Sequence, residues 1–288
     1  MIADAAARAA PVRLHDPALL FEARAARLRA LAAGHSAGDW LLLLARVADG
    51  QRLAIREIPV APARALPASP PGPPLAAGAV PRDGAWRRML GIVLTAARTP
   101  GLPFETLDAL RRLSDSGVTH LETIADGVLA GDVAPDRLAC APFVGAALQA
   151  WFAALASRLD PAALSPGTDA CPVCGSPPVA GAVQGGDRLR FLSCALCAAE
   201  WNVPRLRCVT CGGEGDLAYY EVEGDAGAKA EACPSCRAYV KLFDEEKRPG
   251  LEPAADDAAT LALDLLLAED GWSRVGANLC LATAAPGA

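Results

Sequence analysis

The stretch FLSCALCAAEW, residues 191–201, sets Cys194 and Cys197 around two residues, with an apolar run before them and Trp201 after. A single CxxC pair suits a metal site, a cycling dithiol or a disulfide. Three further pairs narrow the choice: Cys171 and Cys174 in CPVC, Cys208 and Cys211 in CVTC, and Cys233 and Cys236 in CPSC. The first two pairs start 23 residues apart and the last two 25 apart, close to the spacing of a four-thiolate metal site. A CxxC turn points both sulfurs to one side, and a hairpin brings two such turns together. Each half also repeats a layout. A first knuckle is followed by Gly175 or Gly212, and a second by Ala198 or Arg237 and then a strand carrying Trp201 or Tyr239. Glycine after the knuckle suits a backbone of positive φ. Turns at 185–187 and 224–227 close the two hairpins, giving two tandem ribbons about 37–39 residues out of phase. The expected ligands are therefore Cys171, Cys174, Cys194, Cys197, Cys208, Cys211, Cys233 and Cys236, holding two Fe or Zn ions, one per group of four. Sequential pairing closes each hairpin locally and is favoured; interleaved pairing stays open. Small β pieces have little core, so metal supplies their folding energy, about 10–16 kcal/mol for structural zinc in peptides.

The rival readings need settings that the chain lacks. A disulfide framework belongs to an oxidising compartment, and the start MIADAAARAAPVRLHDP has no apolar signal core. A thioredoxin-like dithiol sits at a helix start after a strand. Cys140 and Cys280 have no paired neighbour and read as small core residues. His15, His35 and His120 are isolated and read as loop or helix-surface positions. Asp256 and Asp257 sit at a helix start, where the dipole favours carboxylates. No phosphate loop, HExxH, nucleophile elbow or dinucleotide fingerprint occurs.

Of the 288 residues, 52% are hydrophobic, ample for a core, and the net charge is −6. Residues 1–165 carry 17 basic against 15 acidic side chains, and residues 166–288 carry 10 against 18. The cysteine-rich half is the acidic half, which argues against nucleic acid as a partner. Residues 1–165 read as an all-helical domain. Asp16 caps a helix whose inner face holds Leu20, Leu28 and Leu31, with Arg24 and Arg27 elsewhere. A second helix follows from Gly38, a proline-rich crossover spans 59–81, and four more helical patterns run to Asp160. The apolar run 139–156 contains Pro142 and Gln149 and reads as a buried bundle helix, with no membrane span. Ribbon one then covers 166–203, ribbon two 204–248, and one last helix at 254–270 lies within a closing segment, 249–288. The fold class is α+β multidomain: an all-α N-terminal domain, two tandem zinc-ribbon modules and a C-terminal helix.

From Phe191 to Asn278 the chain resembles the formate dehydrogenase accessory family FdhE. The matching pieces are FLSCALCAAEWNVPRLRCVTCG, KAEACPSCRAYVKLFDEEK and LEPAADDAATLALDLLLAEDGWSRVGAN. The helical half is similar too, in FEARAARLRALAAGHSAGDWLLLLA, RDGAWRRML and PFVGAALQAWFAALA. The resemblance implies rubredoxin-like modules and metal at all eight knuckle cysteines. It implies a cytoplasmic, non-enzymatic factor that matures a molybdenum or tungsten formate dehydrogenase by contacting its catalytic subunit. Nothing carries over to the crossover at 59–81. A nucleic-acid-binding zinc ribbon and a rubredoxin-type electron carrier are the alternatives.

Overall fold

The computed structural model describes residues 10–61, 72–167 and 169–281. The extreme N-terminus and the middle of the proline-rich crossover lie outside them. Helix α1 (Pro17–Ala32) begins as expected: Asp16 Oδ1 accepts the N–H groups of Ala18 and Leu19 at 2.9 and 3.0 Å. Its inner face differs. Phe21, Ala25 and Leu28 are buried together with Arg24, while Leu20 and Leu31 are only partly covered. Arg24 can enter because Glu252 accepts from its Nε and Nη2 at 3.1 and 2.9 Å. A buried charge is tolerated when paired this way.

Helices α2 (Gly38–Glu57), α3 (Ala85–Ala97), α4 (Phe104–Asp115) and α5 (Val118–Ala130) follow. α6 (Ala141–Ala156) is the bundle's central helix. It packs against α2, α3 and α5, and every residue but Pro142 is buried. No helix among the described residues is long and apolar enough to cross a membrane. The one long polar side chain in α6 has a use. Gln149 accepts from Gln51 Nε2 at 3.1 Å and donates to the Ala195 carbonyl at 2.8 Å, inside the second knuckle. The bundle thus grips the first ribbon through a hydrogen bond as well as apolar contact.

The strands are β1 (Val12–Arg13), β2 (Pro178–Gln184), β3 (Leu189–Cys194), β4 (Glu200–Asn202), β5 (Ala218–Tyr220), β6 (Ala228–Ala232), β7 (Ala238–Asp244) and β8 (Ser273–Arg274). They form one eight-stranded sheet in the order β1-β4-β3-β2-β7-β6-β5, with β8 beside β7. The two ribbons are therefore joined edge to edge, by parallel pairing of β2 with β7 over Gly181–Val183 and Leu242–Asp244. Gly181 permits the close packing there, since a Cβ would meet Leu242 Cδ2 at 2.5 Å. The helical half also lends a strand: Val12 pairs with Trp201 and Arg13 with Glu200. A two-residue strand in a segment that reads as all-helical has no periodicity to reveal it.

The expected single C-terminal helix is two, α7 (Pro253–Ala259) and α8 (Leu261–Glu269), broken at Thr260. Lys241 Nζ, from β7, reaches the Asp257 carbonyl at 2.7 Å and Thr260 Oγ1 at 3.0 Å. The break gives that buried ammonium oxygen acceptors that an uninterrupted helix would keep for itself.

Candidate metal centres

Sequence places the eight cysteines in four turns, and the fold brings the turns together in sequential pairs. Cys171, Cys174, Cys194 and Cys197 converge so that their sulfurs lie within 4.8 Å of one another, and so do those of Cys208, Cys211, Cys233 and Cys236. Across the two knuckles of each group, the S···S separations include 3.4 Å for Cys174 and Cys194, 3.5 Å for Cys171 and Cys197, 3.6 Å for Cys208 and Cys236, and 3.7 Å for Cys211 and Cys233. A tetrahedron with zinc–sulfur bonds of about 2.3 Å has edges of about 3.8 Å, so both sets fit one tetrahedral ion.

The knuckles are built by the backbone. The N–H groups of Gly175, Gly212 and Arg237 bond to the carbonyls of Cys171, Cys208 and Cys233 at 2.9, 3.1 and 2.9 Å. Other amides point at sulfur: Val173 to Cys171 at 3.4 Å, Leu196 to Cys194 at 3.3 Å and Thr210 to Cys208 at 3.4 Å. Such donors favour the thiolate. The residue after each knuckle is left-handed, with φ of 77° at Gly175, 58° at Ala198, 69° at Gly212 and 57° at Arg237. The turn imposes this conformation whether or not glycine occupies the position.

Ionisation is uneven within each group. Among the first four, contact with Cys171 and the facing thiols holds Cys174 well below its ordinary value, while burial pushes Cys194 and Cys197 well above theirs. In the second, burial works against Cys233, yet the amides of Cys236 and Ser235 bring it down to about 7. Burial pushes Cys236 up to about 12. In each group one thiol is held low while burial pushes others up. A divalent cation reverses that balance for all four.

The surroundings of the two groups differ. Trp201 is buried in the same apolar cluster as Cys171, Cys174, Cys194 and Cys197, as its place after the second knuckle suggests. The far end of the proline-rich crossover adds a cover that composition does not show: Leu75 and Ala77 donate to the carbonyls of Val173 and Cys174 at 2.8 and 2.9 Å. Tyr239 turns the other way, toward α8, and donates to Asp264 Oδ1 at 2.8 Å. Cys140 and Cys280 are buried singly, as expected, and burial raises the Cys280 thiol to about 11. No histidine joins either group. His15 bonds Glu200, which raises its pKa, His35 lies between the Ala37 amide and the Ala259 carbonyl, and His120 is exposed.

Asp256 and Asp257 lie near the start of α7, as expected, but the helix dipole is not what chiefly holds them: both are fully buried. Arg27 holds Asp256 through both oxygens at 2.6 and 2.9 Å, with Arg248 Nε at 2.8 Å. Asp257 meets Lys241 Nζ at 2.9 Å, Asn278 Nδ2 at 2.9 Å and Arg274. Burial works against its charge, but Lys241 and Arg274 hold its carboxyl below the usual range. These pairs lock α7 to α1 and to the sheet. The signal was present: Lys241 interrupts the apolar strand AYVKLF, and a charge there needs a buried partner.

Three family models cover the chain in succession: "FdhE, N-terminal" matches residues 9–169, "FdhE, central domain" 170–205 and "FdhE, C-terminal domain" 206–281. A Pseudomonas putida protein FdhE homolog is 41% identical over 299 aligned positions, covering 94% of this chain and 91% of that protein. Protein FdhE of Escherichia coli is 35% identical, covering 90% and 87%. The crystal structure of the FdhE protein from Pseudomonas aeruginosa superposes with a TM-score of 0.83 at 35% identity, over 95% of this chain and 99% of that one. With residues 9–281 accounted for in order, and its two four-sulfur groups set in a matching fold, the chain belongs to the FdhE family.

Proposed function

We propose that this protein is a cytoplasmic, non-enzymatic maturation factor that binds the immature catalytic subunit of a molybdenum or tungsten formate dehydrogenase. In this reading the eight cysteines ligate two ions, zinc or iron, that hold the ribbons in shape. The observation that carries it is the convergence of eight cysteines into two four-sulfur groups within an FdhE chain. The acidic cysteine-rich half suits a protein client better than nucleic acid.

A half-open cavity of about 380 Å³ supports a seat for the client. Trp40, Leu43, Leu44, Phe143, Leu261 and Leu281 line it, at the join of the bundle with α8 and the segment at Cys280–Leu281. The ribbons contribute no residue to this lining. Exposed Phe104 and Leu265 extend the apolar surface nearby, a pattern common at protein contacts.

Deleting the gene tests the role. Formate dehydrogenase activity is expected to vanish while the catalytic polypeptide is still made. A Cys194→Ala, Cys197→Ala double variant is expected not to restore it. The tagged wild-type protein is expected to co-purify with the subunit. Full activity in the deletion strain, or salt-sensitive binding to DNA in place of the subunit, would count against the reading.

A further inference from the structure

The two sulfur groups share a ligand set and differ in access. In the first, the four cysteines are between 1% and 4% exposed. Trp201 and Val173 close over them, the Leu75–Ala77 stretch crosses the first knuckle, and α6 bonds to the second through Gln149. In the second, Cys208 and Cys233 are buried, but Cys236 is only half-buried and Cys211 is exposed. Next to Cys211 stand Gly212 and Gly213, which have no side chains to shield it; a Cβ on Gly213 would lie 3.4 Å from Cys211 Sγ. The hairpin beyond ends in β5, the last strand of the sheet. The loop before the knuckle turns Leu206 out to 64% exposure, so it adds no cover.

We propose that the second centre is an exchange site and the first a fixed one: the ion at Cys208, Cys211, Cys233 and Cys236 leaves to, and reloads from, small soluble chelators while the other stays. A closed four-coordinate site loses its ion slowly because an incoming donor has no approach, whereas an open one admits a fifth ligand. Exchange begins at Cys211. The incoming nitrogen or oxygen donor bonds the ion, the Cys211 sulfur–metal bond breaks, and the freed thiolate takes a proton from water. The remaining three thiolates follow, and no electron moves. The inference rests on the reading of both groups as metal centres.

The test uses the full chain loaded with zinc to two equivalents and then mixed with 4-(2-pyridylazo)resorcinol. Release is expected in two phases of one equivalent each, the first at least about tenfold faster. Native mass spectrometry should catch the one-ion species. Alkylating that species with N-ethylmaleimide should label Cys208, Cys211, Cys233 and Cys236 and spare the other four. Gly213→Val, which puts a branched side chain beside Cys211, should slow only the fast phase, several-fold. Release of both ions in one phase, or labelling of Cys171, Cys174, Cys194 and Cys197 first, overturns the proposal. A chain that takes up no zinc overturns the metal reading beneath it, and that result is visible before chelator is added.

Discussion

The residue after a second knuckle shows how a single position bears a cost for its neighbours. Ala198 sits at φ 58° without glycine's freedom. Left-handed backbone costs an L-residue about 1–2 kcal/mol, and glycine recovers only part of this because it is also freer when unfolded. Ala198→Gly is thus expected to stabilise the fold by about 1 kcal/mol, seen as a higher Tm with metal content unchanged. Leu206, at φ 62° and exposed, should behave the same way as Leu206→Gly. Arg237→Gly should gain nothing. The Arg237 guanidinium lies over the Trp272 ring at 4.1 Å and donates to the Asp270 carbonyl, and glycine would lose both contacts. A Tm rise in Arg237→Gly equal to that in Ala198→Gly would contradict this account.

At the scale of elements, charge decides what apolar pattern does not. Helix α7 is bound by Arg24 to Glu252, by Arg27 and Arg248 to Asp256, and by Lys241 and Arg274 to Asp257. Removing one partner leaves a buried charge alone, so Asp257→Ala is expected to cost about 3–5 kcal/mol in denaturant unfolding. Asp257 has its pKa depressed in the fold. Its contribution is therefore full above the unfolded carboxylate value, about pH 4, and is lost as pH falls through the lowered folded value. Acid should loosen α7 and α8, visible as hydrogen exchange in 253–269 rising below about pH 4. Strand β1 has the opposite sign. The hydrogen bond to Glu200 raises His15 despite its burial, so that support is full below about pH 6.5 and fades as pH rises through the folded value. His15→Ala should remove this pH dependence in amide exchange at Asn202, whose N–H bonds the Pro11 carbonyl at 2.9 Å.

Across the whole molecule, the first ribbon and the bundle are one body. Cys171, Cys174, Cys194 and Cys197 lie in the same apolar cluster as Trp86, Val144 and Phe152. Losing the first centre should then loosen the bundle core as well, whereas Cys208, Cys211, Cys233 and Cys236 lie outside that cluster. Cys174→Ala is expected to lower the melting transition of the entire chain. Cys208→Ala should free only the β5–β6 end, with limited proteolysis cutting between about 204 and 236 and leaving the helices intact. Equal loss of the helical fragment in both variants would show one cooperative unit.

What the sequence determined is what local chemistry can write. Four CxxC turns at hairpin spacing name their own ligands, whereas the aromatic behind each second knuckle went to different neighbours, Trp201 to its sulfur group and Tyr239 to Asp264. Asp16–Pro17 starts a helix by itself, and an uncharged run from Ala139 to Ala156 has to be buried. Tertiary structure decided the rest, because the partners are far apart along the chain. Arg24 enters the core only because Glu252 waits there, 228 residues on. Asp256 and Asp257 look like ordinary helix-start acids until Arg27, Arg248, Lys241 and Arg274 close around them. The accessibility of the second sulfur group follows the same rule. Both groups have the same motif, and only the packing of α6, Trp201 and the crossover around one of them makes the other the open one.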